Sequence, residues 1–111
     1  MGAFNSEAFM TRWRQLSLAE QMGNIGSEFD RIISWRNKQN AEFAERAFDR
    51  TLELLDLTIG DPRWSGPKRR ELTRTREILC DALVGDNSYN TPPEFLSRYF
   101  YQFAVARRSA R

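Results

Sequence analysis

Histidine is absent from all 111 residues. Its absence removes the usual general base near neutral pH and the commonest metal ligand. Ser-His-Asp and Cys-His catalysis go with it. Cysteine occurs once, at Cys80, so neither an intrachain disulfide nor a Cys-rich zinc site can form. A lone cysteine fits a reducing compartment, and the expected location is cytoplasmic. No apolar run approaches the roughly 18 residues of a membrane span. The start, MGAFNSEAFMTRWRQL, places Glu7 early and lacks a signal-peptide core, while Met1-Gly2 is a faint echo of a myristoylation start. Valine is confined to Val84 and Val105, and no segment alternates in the manner of a strand. Lysine is scarce as well: apart from Lys38 and Lys68, every basic residue is Arg.

What is present is globular. Hydrophobic residues reach 41% and aromatics 13%, too much for a disordered chain and enough for one domain's core. The net charge of +2 is small, but acidic residues prevail before Gly60 and basic residues after it. Arg favours carboxylates, phosphates and aromatic faces. The simpler reading of the Arg excess is a GC-rich genome that writes Arg where others write Lys.

Helix signals recur along the chain. Ser17-Leu18-Ala19-Glu20 forms a capping box. The stripe Leu18, Met22, Ile25, Phe29 and Ile32 follows, with Trp35 extending it. Gly23 and Gly26 share a face of that helix, where they would admit a close neighbour. Asn40 reads as the N-cap of a helix with Phe43, Ala44, Ala47, Phe48, Leu52, Leu55 and Ile59 inward, and Thr51 and Leu54 widening that face. Gly60 and Asp61-Pro62 stop it. Pro67 opens a helix carrying Leu72, Thr75, Ile78, Leu79, Ala82 and Leu83, and Gly85 ends it. Thr91-Pro92-Pro93-Glu94 reads as a second capping box, followed by Phe95, Leu96, Tyr99, Phe100 and Phe103, with Phe95, Tyr99, Phe100 and Phe103 expected to anchor this helix and Tyr101 to face outward. The basic tail from Arg107 to Arg111 suits a helix C-terminus. The expectation is an all-α, single-domain bundle. Four main helices span 17–108, and residues 1–16 form an N-terminal arm or short helix anchored by Phe9 and Trp13.

No catalytic motif emerges, and no cofactor or metal is expected. Glu28, Glu53 and Asp81 would serve a hard cation, and a phosphate-bearing small molecule through it, only if they converged. Pairing with Arg31, Arg50, Arg74 or Arg76 is the simpler reading. Cys80 beside Arg76 reads as a small buried group in preference to a thiolate. Aromatics exceed what a small bundle needs, and Tyr, Trp and Arg dominate interfaces. Trp35, Trp64, Tyr89 and Tyr101 are therefore the candidate partner surface. The alternative is RNA or DNA binding through Arg63, Lys68, Arg69, Arg70 and Arg74, with Trp64 to stack a base. The bland reading of that stretch is a solvated turn.

Together, IGSEFDRIISW, AFDRTLELLDLTIGDPRW, ELTRTREILCD, GDNSYNTPPEFL and YFYQFAVARR resemble a group of small uncharacterised all-helical proteins of bacteria and archaea. That resemblance spans about Leu18 to Arg108 and implies no activity. In size and helix number the chain is also similar to HEPN helical domains, which often partner nucleotidyltransferases in toxin–antitoxin pairs. HEPN ribonucleases use an Arg followed by a His in a late helix. Here Arg98-Tyr99-Phe100-Tyr101-Gln102 supplies only the Arg, so ribonuclease activity is not implied. The expected function is a non-enzymatic interaction module that dimerises or binds a partner protein, a nucleotidyltransferase among the candidates, with no membrane involved.

Overall fold

The computed structural model describes residues 6–109, with side chains described to residue 106. Met1-Gly2 and the basic side chains from Arg107 onward lie outside the described residues. Five α-helices follow in order: α1 (Glu7–Gln15), α2 (Leu18–Asn37), α3 (Ala41–Ile59), α4 (Pro67–Val84) and α5 (Pro93–Ser109). One 3-10 turn, Pro62–Trp64, lies between α3 and α4. The described residues contain no strand, and none of their helices is long and apolar enough to cross a membrane.

The helix starts follow local chemistry. The Ser6 hydroxyl accepts the Phe9 amide and opens α1. Two residues separate the end of α1 from the start of α2, which opens through the expected capping box: Glu20 N donates to Ser17 Oγ at 3.1 Å and Ser17 N to Glu20 Oε1 at 3.0 Å. Asn40 Oδ1 takes the Phe43 amide and opens α3. The turn before it needs Gln39 at φ 59°, an uncommon conformation for a residue with a Cβ. Thr91 does not act as the expected cap. Its hydroxyl donates to the Tyr89 carbonyl, and α5 begins one residue beyond Pro92.

α2 is the central helix. Met22, Ile25, Phe29 and Ile32 on it are fully buried. It packs against α3 on one flank and α5 on the other, while α4 closes mainly on α3. The expected face of α3 is kept except at Phe43. Ala44, Ala47, Thr51, Leu54, Leu55 and Thr58 are its buried residues, and Phe43 is exposed. Small residues there bring α2 close. The threonine hydroxyls lose no partner in the interior, because Thr51 donates to the Ala47 carbonyl and Thr58 to that of Leu54.

α1 belongs to the core in its own right. Trp13 is buried, stacks on Phe9 and donates its indole N–H to Thr58 Oγ1 at 3.1 Å. α5 enters through Leu96 and Phe100, and Phe100 meets Phe29 at 5.7 Å between ring centroids. Phe95, expected as an anchor, is exposed. The neighbouring Leu96 takes the inward position because α5 seats on α2 and not on the Phe48/Leu52 side of α3.

Gly26 permits that seating. A Cβ at Gly26 would lie 2.5 Å from Phe100 Cβ, whereas one at Gly23 would meet nothing within 4 Å. Gly26→Ala should therefore destabilise the fold by about 1–3 kcal/mol through overpacking. Gly23→Ala should stabilise it by about 0.5–1 kcal/mol, since only the entropic cost of a helical glycine is removed. Urea denaturation of both variants checks this, as does Phe100→Ala, expected to cost about 3–5 kcal/mol.

Candidate functional site

Two arginine- and tryptophan-bearing clusters occupy different places on the bundle. The first surrounds the 3-10 turn. Gln21 is fully buried and bonds two ways across the chain: Nε2 donates to the Trp13 carbonyl, and Oε1 accepts the Trp64 indole N–H, both at 2.8 Å. The same side chain contributes to holding the Asp61 carboxylate ionised. Asp61 is 1% exposed and takes Arg63 through both oxygens, with Nη2 at 2.7 Å from Oδ2. Arg63 then reaches the Leu16 carbonyl at 2.8 Å and lies over the Trp64 ring. Arg69 closes the end of α3 by donating to the carbonyls of Ile59 and Asp61.

These bonds give the basic stretch a structural role on one side. Arg63 and Arg69 hold the loop, and Arg76 pairs with Asp56 at 2.8 Å. Lys68, Arg70 and Arg74 are exposed on the outer face. Arg69, Arg70 and Arg74 line a shallow groove of about 470 Å³ with Thr73 and Glu77. Arg74 also lies over the Tyr89 ring, 5.7 Å from its centroid. Trp64 is half-buried and packs on the core.

The second cluster lies on the α2–α3 hairpin. An antiparallel hairpin with a short turn sets the end of one helix against the start of the next. Trp35 therefore meets Phe43, edge to face at 4.8 Å. One turn back, Arg31 faces Arg46 and Arg50. These five side chains line a groove of about 340 Å³. Arg46 sits over Phe43 at 5.4 Å and Lys38 over Trp35 at 5.0 Å. Neither Trp35 nor Phe43 belongs to the core cluster. Arg31 also borders a second groove of about 440 Å³, where Phe9, Trp13 and Leu16 meet Arg12 and Glu28.

Glu28 is the buried counter-ion of this face, pairing with both Arg31 and Arg50. Asp81 instead binds the loop after α4, accepting the Ser88 amide and hydroxyl and the Tyr89 amide at 3.0–3.1 Å. The Tyr89 amide above all holds its carboxyl below the usual range. The two carboxylates thus serve different elements. Among the described residues, no group of three Cys, Asp or Glu side chains could hold an ion. Glu53 Oε2 is buried with no hydrogen-bond partner. Burial pushes the Cys80 thiol up, outweighing Arg76 beside it, so a neutral thiol is favoured there.

The four aromatics proposed from the sequence sit on four different elements. Trp35 is on α2, Trp64 on the 3-10 turn, Tyr89 in the α4–α5 loop and Tyr101 on α5. Tyr89 and Tyr101 are exposed, at 48% and 59%. Of the four, Trp35 lies in a groove with several arginines. Sequence reasoning overlooked Phe43, read as core, and the alignment of Arg31, Arg46 and Arg50. The hairpin register was the signal that could have found them. Comparison with protein-family models, curated proteins and solved structures finds no match to this chain.

The clasp at Asp61 carries a pH signature. Its bond from Arg63 lowers the carboxyl below the ordinary 3.8 of aspartate, with burial opposing. A lowered folded value means that the stability it contributes is present above the unfolded value. It is lost as the pH falls below about 3.8 and through the folded value. Asp61→Asn should cost about 1.5–3 kcal/mol at neutral pH, the range for hydrogen bonds to a charged group. The variant should also show a flatter loss of stability in acid, read from urea midpoints at successive pH values.

Proposed function

We propose that this chain is a non-enzymatic protein-interaction module that binds a second copy of itself or a partner protein through the α2–α3 face. The observation that carries this reading is the Trp35–Phe43 pair. It lies outside the core cluster, lines an open groove, and has a cation over each ring. Clustered Trp and Arg at a concave surface is the composition of a binding hot spot. A binding role also accords with the side chains that catalysis would call on. The chain lacks histidine, its one thiol is driven toward the neutral form, and Glu28 and Asp81 are committed to internal bonds.

A second reading, nucleic-acid binding through α4, rests on the groove that Arg69, Arg70 and Arg74 line. It has fewer cations than the segment 63–76 promised, because Arg63 and Arg76 are engaged within the chain. Retention of RNA or DNA that falls steeply with salt, and is abolished by Arg70→Glu with Arg74→Glu, would establish it.

The interaction reading is tested by a photo-reactive residue in place of Phe43, in the native cell. It should capture one protein, or a second copy of this chain, whereas the same residue in place of Gln102 on α5 should not. Sedimentation of the purified chain separates the two: a dimer at micromolar concentration identifies self-association. A nucleotidyltransferase is the partner that the similarity to HEPN domains in size and helix number suggests, and co-expression tests it directly. A monomer with no cross-link from position 43 would remove the proposal.

A further inference from the structure

We infer that the α2–α3 groove takes an acidic segment of a partner protein, its carboxylates on Arg31, Arg46 and Arg50 and an apolar residue against Trp35 and Phe43. This rests on the interaction reading above and names the chemistry of the partner.

The argument begins with the donors. A guanidinium has five N–H donors. Arg31 gives Nη1 and Arg50 gives Nε to Glu28, and Arg46 gives Nη2 to Glu42. Each retains further donors at an open groove, with side-chain exposures of 61%, 39% and 60% respectively. Buried Glu28 fixes two of the three guanidinium groups in place before any ligand arrives. Less side-chain entropy is then lost on binding.

The choice of carboxylate over phosphate follows from charge and from the rings. Four cations line or flank the groove, Lys38 among them, against the two carboxylates already paired there. The excess is two charges spread along two helices. That pattern fits separate single carboxylates better than one dense polyphosphate. A stacked base would have to share each ring with the cation already over it, Lys38 over Trp35 and Arg46 over Phe43. An aliphatic or aromatic side chain needs only the remaining edge and the apolar stems of the arginines. The groove, about 340 Å³, has room for one such side chain with its flanking carboxylates.

The test uses the full chain, labelled for nuclear magnetic resonance, and four probes. These are a short synthetic peptide rich in Glu and Asp around a Leu-Phe pair, its Gln/Asn analogue, inorganic phosphate, and a uridine oligonucleotide. The acidic peptide should shift the Trp35 indole and the guanidinium signals of Arg31, Arg46 and Arg50. The Gln/Asn analogue should bind at least about tenfold more weakly, a difference of about 1.4 kcal/mol. Arg46→Glu, an exposed position whose melting should change little, should weaken the acidic peptide by a similar factor. Stronger shifts at these signals from phosphate or the oligonucleotide would overturn the inference, as would peptide shifts confined to Arg70 and Arg74. If the photo-reactive residue at position 43 captures a partner but the acidic peptide leaves the groove unperturbed, the stated chemistry is wrong and the interaction reading stands. If neither responds, both fall.

Discussion

A buried amide holds this bundle in register. Gln21 lies inside the first turns of α2 and is fully enclosed, so its donors and acceptor must find partners within the protein or cost several kcal/mol. It finds the Trp13 carbonyl at the end of α1 and the Trp64 indole on the 3-10 turn. Trp13 in turn donates to Thr58 near the end of α3. One side chain thereby ties α1, α2 and the turn together, and α3 through Trp13. Asp61 and its arginine extend the network, because Arg63 returns to Leu16 in the α1–α2 junction. The loop that connects α3 to α4 has few apolar contacts of its own, and this polar clasp gives it one conformation.

The clasp and the α2–α3 groove use the same two residue types to opposite ends. In the clasp, Trp64 has its indole N–H satisfied and its ring against the core, and Arg63 has a buried carboxylate. In the groove, Trp35 packs only against Phe43 and Lys38 in the contacts described, and the arginines keep donors to spare. What separates the two Trp-Arg sets is therefore satisfaction, not composition. Each network also sits where the other cannot reach, since one closes the α3–α4 loop and the other lies along the α2–α3 hairpin.

The ionisations that the fold shifts all move away from neutrality. Asp61 and Asp81 are held low by hydrogen bonds. Burial raises Cys80, and burial with the Glu71 carboxylate raises Tyr99, whose hydroxyl donates to Glu71 at 2.7 Å. Arg63 and Arg76 are raised by their carboxylate partners. With no histidine in the chain, these groups hold one charge state across the neutral range. Association through the groove, as proposed, would weaken with salt, which screens exposed charges.

Local chemistry alone determined the helices and most of their ends. The capping box at Ser17, the Asn40 cap, Pro67 in a first turn and the glycines at 60 and 85 are satisfied within a few residues, so their signals survive in the sequence. So did the central stripe of α2, whose period of three and four is unambiguous, and the outward position of Tyr101. The boundary at Thr91 misled, because the same motif can bond backward to a loop carbonyl as readily as forward into a helix. Tertiary packing decided the rest. Aromatic spacing alone cannot say whether Phe95 or Leu96 faces inward, since neighbouring residues lie only about 100° apart on a helix and the partner helix picks the face. Nor could spacing reveal that Phe43 is exposed, or that Arg31, Arg46 and Arg50 share one groove across two helices. Those facts depend on the register and rotation of α3 against α2. That geometry is set by how closely Ala44, Ala47 and Thr51 let the two backbones approach, a property of the pair of helices and of neither one alone.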